Sequence, residues 1–226
     1  MIISTKKIHN VNMNIRIGGS CIERVDNFKF LGIFIDEMLN FKTHTDELHT
    51  KLSRCQGILR RLDYLPISIL RTIFFSLFYS VLNYGILVWG SSSITALNPL
   101  NILLKKTIRI ISHSSYFAHT SPIFKELFIL NLHDIYLYSL SVFMFKVVRL
   151  KFNNLFEEII YSNNSSHVYS PRNNYIRLPF YSKSLCQNSV FYQGPLIWNS
   201  LPENLKKIKS LHKFKHSAKN YFICKY

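Results

Sequence analysis

Paired cysteines, glycine-rich loops and acidic residues are all scarce in this 226-residue chain, and each shortage removes a class of function. The four cysteines, Cys21, Cys55, Cys186 and Cys224, stand far apart, so the C-x2–4-C half of a zinc site is missing. A disulfide framework belongs to short secreted chains. The opening Met1-Ile2-Ile3, followed by Ser4, Thr5, Lys6 and Lys7, is too short and wrongly ordered for a signal peptide. We expect reduced, mostly structural thiols in an intracellular protein, with no preference between nucleus and cytoplasm. No Walker-type phosphate loop and no G-x-S-x-G elbow occurs. The nine histidines are scattered and form no H-E-x-x-H. His44 and His49, five residues apart, lack a ligand spacing for one helical face and read as surface residues. No metal site is expected.

Acidic residues number 12 against 28 Lys and Arg, a formal net charge of +16. Such a surface attracts polyanions, with nucleic acid ahead of an anionic membrane face; a basic protein without a polyanion partner is the remaining alternative. The excess is uneven. Residues 1–66 carry ten basic against seven acidic side chains, residues 67–134 five against two, and residues 135–226 thirteen against three. From Lys183 onward the only acid is Glu203.

With 48% hydrophobic and 15% aromatic residues a real core is present. Residues 11–25 alternate around Gly18-Gly19 and predict a β-hairpin. Residues 28–36, FKFLGIFID, predict a third strand with a bulge or close approach at Gly32. Leu48, Leu52, Cys55, Leu59 and Leu62 give the helical period over 45–62, with Lys51, Arg54 and Arg61 on its flank. Residues 67–89 are apolar enough to span ~20 residues of membrane. Arg71 one turn inside, the polar face of Ser76, Ser80 and Asn83, and Gly85 favour a buried core helix instead. A third helix over 97–112 turns Leu100, Leu103, Leu104, Ile108 and Ile111 inward and Lys105, Lys106 and Arg109 elsewhere. Ser121-Pro122 predicts an N-cap and a short helix through Leu127, and Asp134 a cap for a longer one over 135–152. Residues 161–175 read as a polar loop or linker. A turn at Gln193-Gly194-Pro195 follows. The closing helix has Leu211, Phe214, Ala218 and Phe222 on its apolar face and Lys213, His216 and Lys219 pointing away.

Three stretches, in this order and spacing, resemble the end of the second open reading frame of non-LTR (LINE-type) retrotransposons of the jockey and CR1 kind. They are FKFLGIFIDEMLNFKTHTDEL (28–48), SLFYSVLNYGILVWGSSS (76–93) with LLKKTIRIISHSSYFAHTSPIFKELFILNLHDIY (103–136), and SVFYQGPLIWNSLPENLKKIKSLHKFKHSAKNYF (189–222). The resemblance implies the C-terminal part of a reverse transcriptase: a mainly α chain with a small N-terminal β element, a thumb-like helical bundle following a palm-edge hairpin and strand. It divides the chain into a palm-edge and primer-grip-like segment (1–40), a thumb-like domain (41–160), a polar linker (161–185) and a basic C-terminal region (186–226).

The family's polymerases hold two divalent metals on adjacent palm aspartates. No Asp-Asp pair occurs here. The doublets Asp36-Glu37, Asp46-Glu47 and Glu157-Glu158 come too late and read as helix-start or loop acids. We therefore expect a truncated fragment without catalytic residues and without a cofactor, the Mg²⁺ belonging to the palm and the endonuclease likewise lying elsewhere. Phe30, Leu31 and Gly32 stand where the primer grip bends against the primer, although a bulged core strand would also account for them. Lys51, Arg54, Lys105, Lys106 and Arg109 would track a duplex backbone. Lys206, Lys207, Lys209, Lys213, Lys215 and Lys219 would add salt-dependent affinity. Phe191, Tyr192 and Trp198 are better read as pins for the turn than as base-stacking rings. Expected partners are RNA or RNA/DNA duplex, bound without sequence preference, and the missing polymerase portion; no small-molecule substrate is expected. The alternative is a helical interaction or structural domain without a nucleic-acid role, and behind it a membrane-associated protein.

Overall fold

The computed structural model describes residues 15–150 and 176–226, together with Ile3. Residues 11–14 of the expected first hairpin, the Glu157-Glu158 pair, the end of the 135–152 helix and the 161–175 linker lie outside these. The described chain is mainly helical, with two short hairpins at its start.

The first hairpin pairs β1 (Arg16–Ile17) with β2 (Ser20–Cys21) around Gly18 and Gly19, both at positive φ. The expected third strand is two strands. β3 (Asn27–Phe30) and β4 (Ile33–Asp36) pair antiparallel, Phe30 opposite Ile33, and Leu31 (φ 45) with Gly32 (φ 83) forms the turn. Gly32 is thus a turn residue, not a bulge. Two successive positive-φ residues match the twist of a tight hairpin, and only glycine adopts the second without strain.

The Asp36 carboxylate accepts the backbone N–H groups of Met38, Asn40 and Phe41 at 3.1, 3.0 and 2.7 Å. It thereby holds the turn into α1 (Lys42–Arg61). Leu48, Leu52 and Leu59 are buried along α1 as their spacing predicts.

Residues 67–89 are not one helix. α2 (Ile67–Ile73) runs through a π-helical stretch (Phe74–Tyr79) into α3 (Ser80–Asn83). The chain then breaks at Tyr84 and Gly85 (φ 61) before α4 (Ile86–Trp89). A Cβ on Gly85 would collide with Ile33 Cδ1, so this glycine permits both the left-handed turn and the close approach of β4. Among the described residues no helix is long and apolar enough to cross a membrane.

α5 (Ile94–Ile111) begins one turn before the expected start, because the Ser93 hydroxyl caps the Ala96 N–H at 3.3 Å and Pro99 is carried inside the helix. Its predicted stripe is fully in the core. α6 (Thr120–Glu126) starts after His119, so Ser121 lies within the helix and is not its cap. Asp134 is not the cap of α7 (Leu132–Leu150) either. Asn131 Oδ1 accepts the Asp134 N–H at 2.9 Å, and the buried Asp134 carboxylate receives the Tyr226 hydroxyl at 2.6 Å. Tyr226 also accepts the Asn131 N–H at 2.9 Å. The last residue of the chain is thereby bonded to the start of α7.

Beyond residue 176 come α8 (Ser184–Gln187), α9 (Val190–Ser200), α10 (Glu203–Lys206) and α11 (Leu211–Ile223). Gln193-Gly194-Pro195 is not a turn but the middle of α9. A Cβ on Gly194 would lie 2.6 Å from Met144 Sδ. The glycine therefore lets α9 approach α7 closely, and burial in that contact offsets the helix bond that Pro195 forfeits. Trp198 is fully buried, tilted against Phe214 of α11 at 6.3 Å, and Phe214 stacks on Phe145 of α7 at 4.4 Å. α7 is thus the central rod on which α9 and α11 pack, while α1 and α5 pack on each other.

Candidate nucleic-acid interface

The basic residues of α1 and α5 do not form a single stripe. Beside the α1–α5 seam lies a cleft of about 650 Å³, lined by Ser53, Gln56, Gly57, Arg60, Asp63, Lys106, Arg109, Ile110, His113, Ser114 and Tyr116. Three cations face one carboxylate there. The α1 residues of this wall recur at three- and four-residue spacing, and the space beside Gly57 is open, with nothing within 4 Å of where a Cβ would stand. A second cleft, about 670 Å³, opens on the other side of the α5–α6 loop. Lys105, Arg109, His119 and His133 line it together with Asn98, Asn101 and Phe117, and among the described residues no Asp or Glu does. Arg109 belongs to both clefts. Its Nε donates to the Ala118 carbonyl at 2.9 Å, one of the five N–H donors of a guanidinium.

Lys51 lies elsewhere. It lines a smaller cleft of about 390 Å³ with Gly32, Phe34, His44, Glu47, Leu48, Ser80, Val81 and Tyr84. The primer-grip-like residues are the adjoining hairpin tip: Phe30 and Leu31 are exposed, and the Leu31 carbonyl accepts the Tyr84 hydroxyl at 2.6 Å. His44, expected on the surface, is buried, with its ring centroid 5.7 Å from that of Trp89. Burial first, and the nearby Lys51 charge second, hold its pKa below the usual histidine value. Arg54 and Arg61 are exposed on α1.

The C-terminal lysines divide in two. Lys207, Lys209, Lys213 and Lys215 are exposed. Lys206 is only 4% exposed; its Nζ donates to Glu203 Oε1 at 3.0 Å and to the Asn199 carbonyl at 3.2 Å. Lys219 does not point away, as its helical position predicts, but lies over the rings of Phe128 (4.6 Å) and Phe75 (5.4 Å). A long aliphatic stem lets a lysine cover aromatic surface in this way. These two side chains are structural and leave the set of phosphate-facing candidates.

Burial, and then the Arg71 charge, bring Lys219 down to about 8. A lysine with a lowered folded pKa binds its proton more weakly folded than unfolded. Stability therefore rises with pH between about 8 and the unfolded value of about 10.4. Lys219→Met should melt higher than the parent chain near neutral pH, with the difference shrinking toward pH 10; thermal melts across that range check it. A gap that widens with pH would mean that the cation–π contacts outweigh desolvation.

The sequence reading missed Arg60, His113, Tyr116 and Phe117. Arg60 was legible, since it falls on the helical face of Ser53, Gln56 and Gly57. The other three sit on a loop, where no periodicity reports which way a side chain faces.

Comparison with curated proteins gives a consistent answer. The chain is 28% identical over 144 residues to the RNA-directed DNA polymerase from mobile element jockey of Drosophila melanogaster, covering 58% of this chain and 16% of that protein. Its curated relatives are RNA-directed DNA polymerases of mobile elements. A probable RNA-directed DNA polymerase from transposon BS of the same organism is 22% identical over 134 residues, 58% of this chain and 14% of that protein. The jockey polymerase of Drosophila funebris is 26% identical over 113 residues, 48% of this chain and 12% of that protein. The chain thus spans only 12–16% of the length of these relatives. No family model matches the chain, and no solved structure does.

Proposed function

We propose that this chain is a piece of the RNA-directed DNA polymerase of a non-LTR retrotransposon that binds RNA or RNA/DNA duplex without sequence preference and does not itself polymerise. The observation that carries the reading is the basic α1–α5 cleft, with Arg60, Lys106 and Arg109 on one wall system, in a chain similar to mobile-element polymerases. Cations on rigid helices can follow phosphates without reading bases, because the backbone charge is the same at every step. The exposed Lys207, Lys209, Lys213 and Lys215 add longer-range attraction. In this reading the β3–β4 tip at Phe30, Leu31 and Gly32 meets the primer strand, and the metal-binding aspartates and their Mg²⁺ belong to the palm.

The test is a titration of the whole chain against a labelled RNA/DNA hybrid hairpin by fluorescence anisotropy. Affinity should fall steeply from about 50 to 200 mM salt. Arg60→Glu with Lys106→Glu should weaken binding about tenfold or more at low salt and flatten the salt slope. Absence of binding at the lowest salt would overturn the reading. In the same preparation, primer extension with Mg²⁺ or Mn²⁺ should be nil; dNTP-dependent extension would refute the non-polymerase part.

A further inference from the structure

Two exposed aromatic rings sit between the two basic clefts, and packing does not account for them. Tyr116 is 64% and Phe117 90% exposed, adjacent on the loop that joins α5 to α6. Tyr116 lines the cleft of Arg60, Lys106 and Arg109, while Phe117 lines that of Lys105, Arg109 and His119. Their centroids are 5.2 Å apart with planes at 89°, an edge-to-face pair that leaves a ring face uncovered.

The loop is held by polar bonds, not by these rings. Arg109 Nε binds the Ala118 carbonyl at 2.9 Å, and the Ser114 N–H returns to the Arg109 carbonyl at 3.0 Å. The Ser112 and Ser114 hydroxyls are 2.8 Å apart, and the Ala118 N–H closes on the Ser115 carbonyl at 3.0 Å. Arg109 therefore fixes the place of the rings and also contributes charge to the clefts on either side of them.

We propose that Tyr116 and Phe117 form a stacking platform for unpaired bases of a single-stranded nucleic-acid segment, whose phosphates lie in the two basic clefts. The inference rests on the nucleic-acid reading above and extends it from the duplex backbone to an unpaired strand. A duplex hides its base faces, so aromatic rings gain nothing from its flank. An unpaired strand presents a π-face at every base, and cations spaced around a ring pair suit its phosphates. The platform is indifferent to sequence, because every base has such a face.

The experiment compares a blunt-ended hairpin with the same hairpin carrying a single-stranded overhang, in RNA and DNA versions, each binding the full chain. The overhang should tighten binding about tenfold, and 2-aminopurine placed in it should be quenched on binding. Tyr116→Ala with Phe117→Ala should erase the overhang gain and the quenching and preserve the thermal melt. Phe117→Ala alone, outside the Arg60 cleft, should lose most of the gain while leaving blunt-hairpin affinity and the salt slope unchanged. Phe117→Leu keeps an exposed apolar group but no ring, and should lose most of the gain, whereas Phe117→Trp should keep it.

If the wild-type chain binds both hairpins equally and shows no quenching, the platform is overturned while the duplex reading stands. If the leucine variant behaves as wild type, the gain comes from apolar contact and not from ring stacking, and the proposal fails. Failure to bind either hairpin overturns both readings.

Discussion

Trp89→Ala should destabilise the chain by about 3–5 kcal/mol, the range for emptying a fully buried aromatic site. Trp89 has no exposed surface, and its indole N–H donates to the Tyr84 carbonyl at 2.9 Å. That bond spans the break at Tyr84-Gly85, where the helical run of residues 67–83 stops and α4 begins. Trp89 is therefore both filler and clamp. Its ring also covers His44, whose imidazole would then face a cavity. Trp89→Phe separates the two roles: it restores most of the volume but leaves the Tyr84 carbonyl without its donor, at a cost of about 1–3 kcal/mol. Guanidinium unfolding followed by far-UV circular dichroism measures both. Equal losses for the two variants would mean that the clamp, not the volume, dominates; a loss below about 1 kcal/mol for Trp89→Ala would contradict its place in the core.

Lys206→Glu should cost about 3 kcal/mol or more, and the same change at Lys207 should cost about 0.5 kcal/mol or less. The two residues are neighbours in a lysine-rich segment, and their side chains meet different surroundings. Lys206 Nζ lies between Glu203 and the Asn199 carbonyl in the last turn of α9, and the Lys206 carbonyl accepts a hydrogen bond from the Arg149 guanidinium at 2.6 Å. A carboxylate there would be buried, set against Glu203 and deprived of a cation. Lys207 faces water. Nucleic-acid affinity should show the opposite ranking once folding is accounted for: Lys207→Glu weakens binding in a stable chain, whereas Lys206→Leu, which removes the charge without adding another, leaves the affinity of the folded fraction nearly unchanged. Urea unfolding paired with the anisotropy titration checks both. If Lys206→Glu is as stable as the parent, the buried placement of that ammonium is wrong.

Periodic segments were read well because burial of one face repeats along the chain. The leucines of α1, the stripe of α5 and the Leu211, Phe214, Ala218 and Phe222 face of α11 all pack inward as their spacing predicts, with Leu211 only partly buried. The departures lie where a distant contact decides. Gly194 and Pro195 have the composition of a turn, yet they run through α9 because a glycine at that point lets the helix settle on Met144. Phe30, Leu31 and Gly32 read as the middle of a strand, but positive φ at two successive residues folds β4 back on β3. Local propensity could not anticipate Asp134 as an interior residue either, since Asn131 and Tyr226 take over the polar groups at the start of α7.

Composition and periodicity by themselves determined the strong positive charge and the mainly helical class, and three stretches in order along the chain carried the resemblance to mobile-element polymerases. Those properties are sums or repeats along one chain and need no knowledge of neighbours. Which cations meet solvent was decided only by tertiary structure. Lys206 and Lys219 have the same chemistry as Lys207 and Lys213, but two are folded against Glu203 and aromatic rings while two are not. The juxtaposition of Arg60 with Lys106 and Tyr116 is likewise a product of how α1 crosses α5. Side chains more than 40 residues apart share a surface only when helices pack, and the free energy of that packing is set by buried shape, not by the charges it brings together.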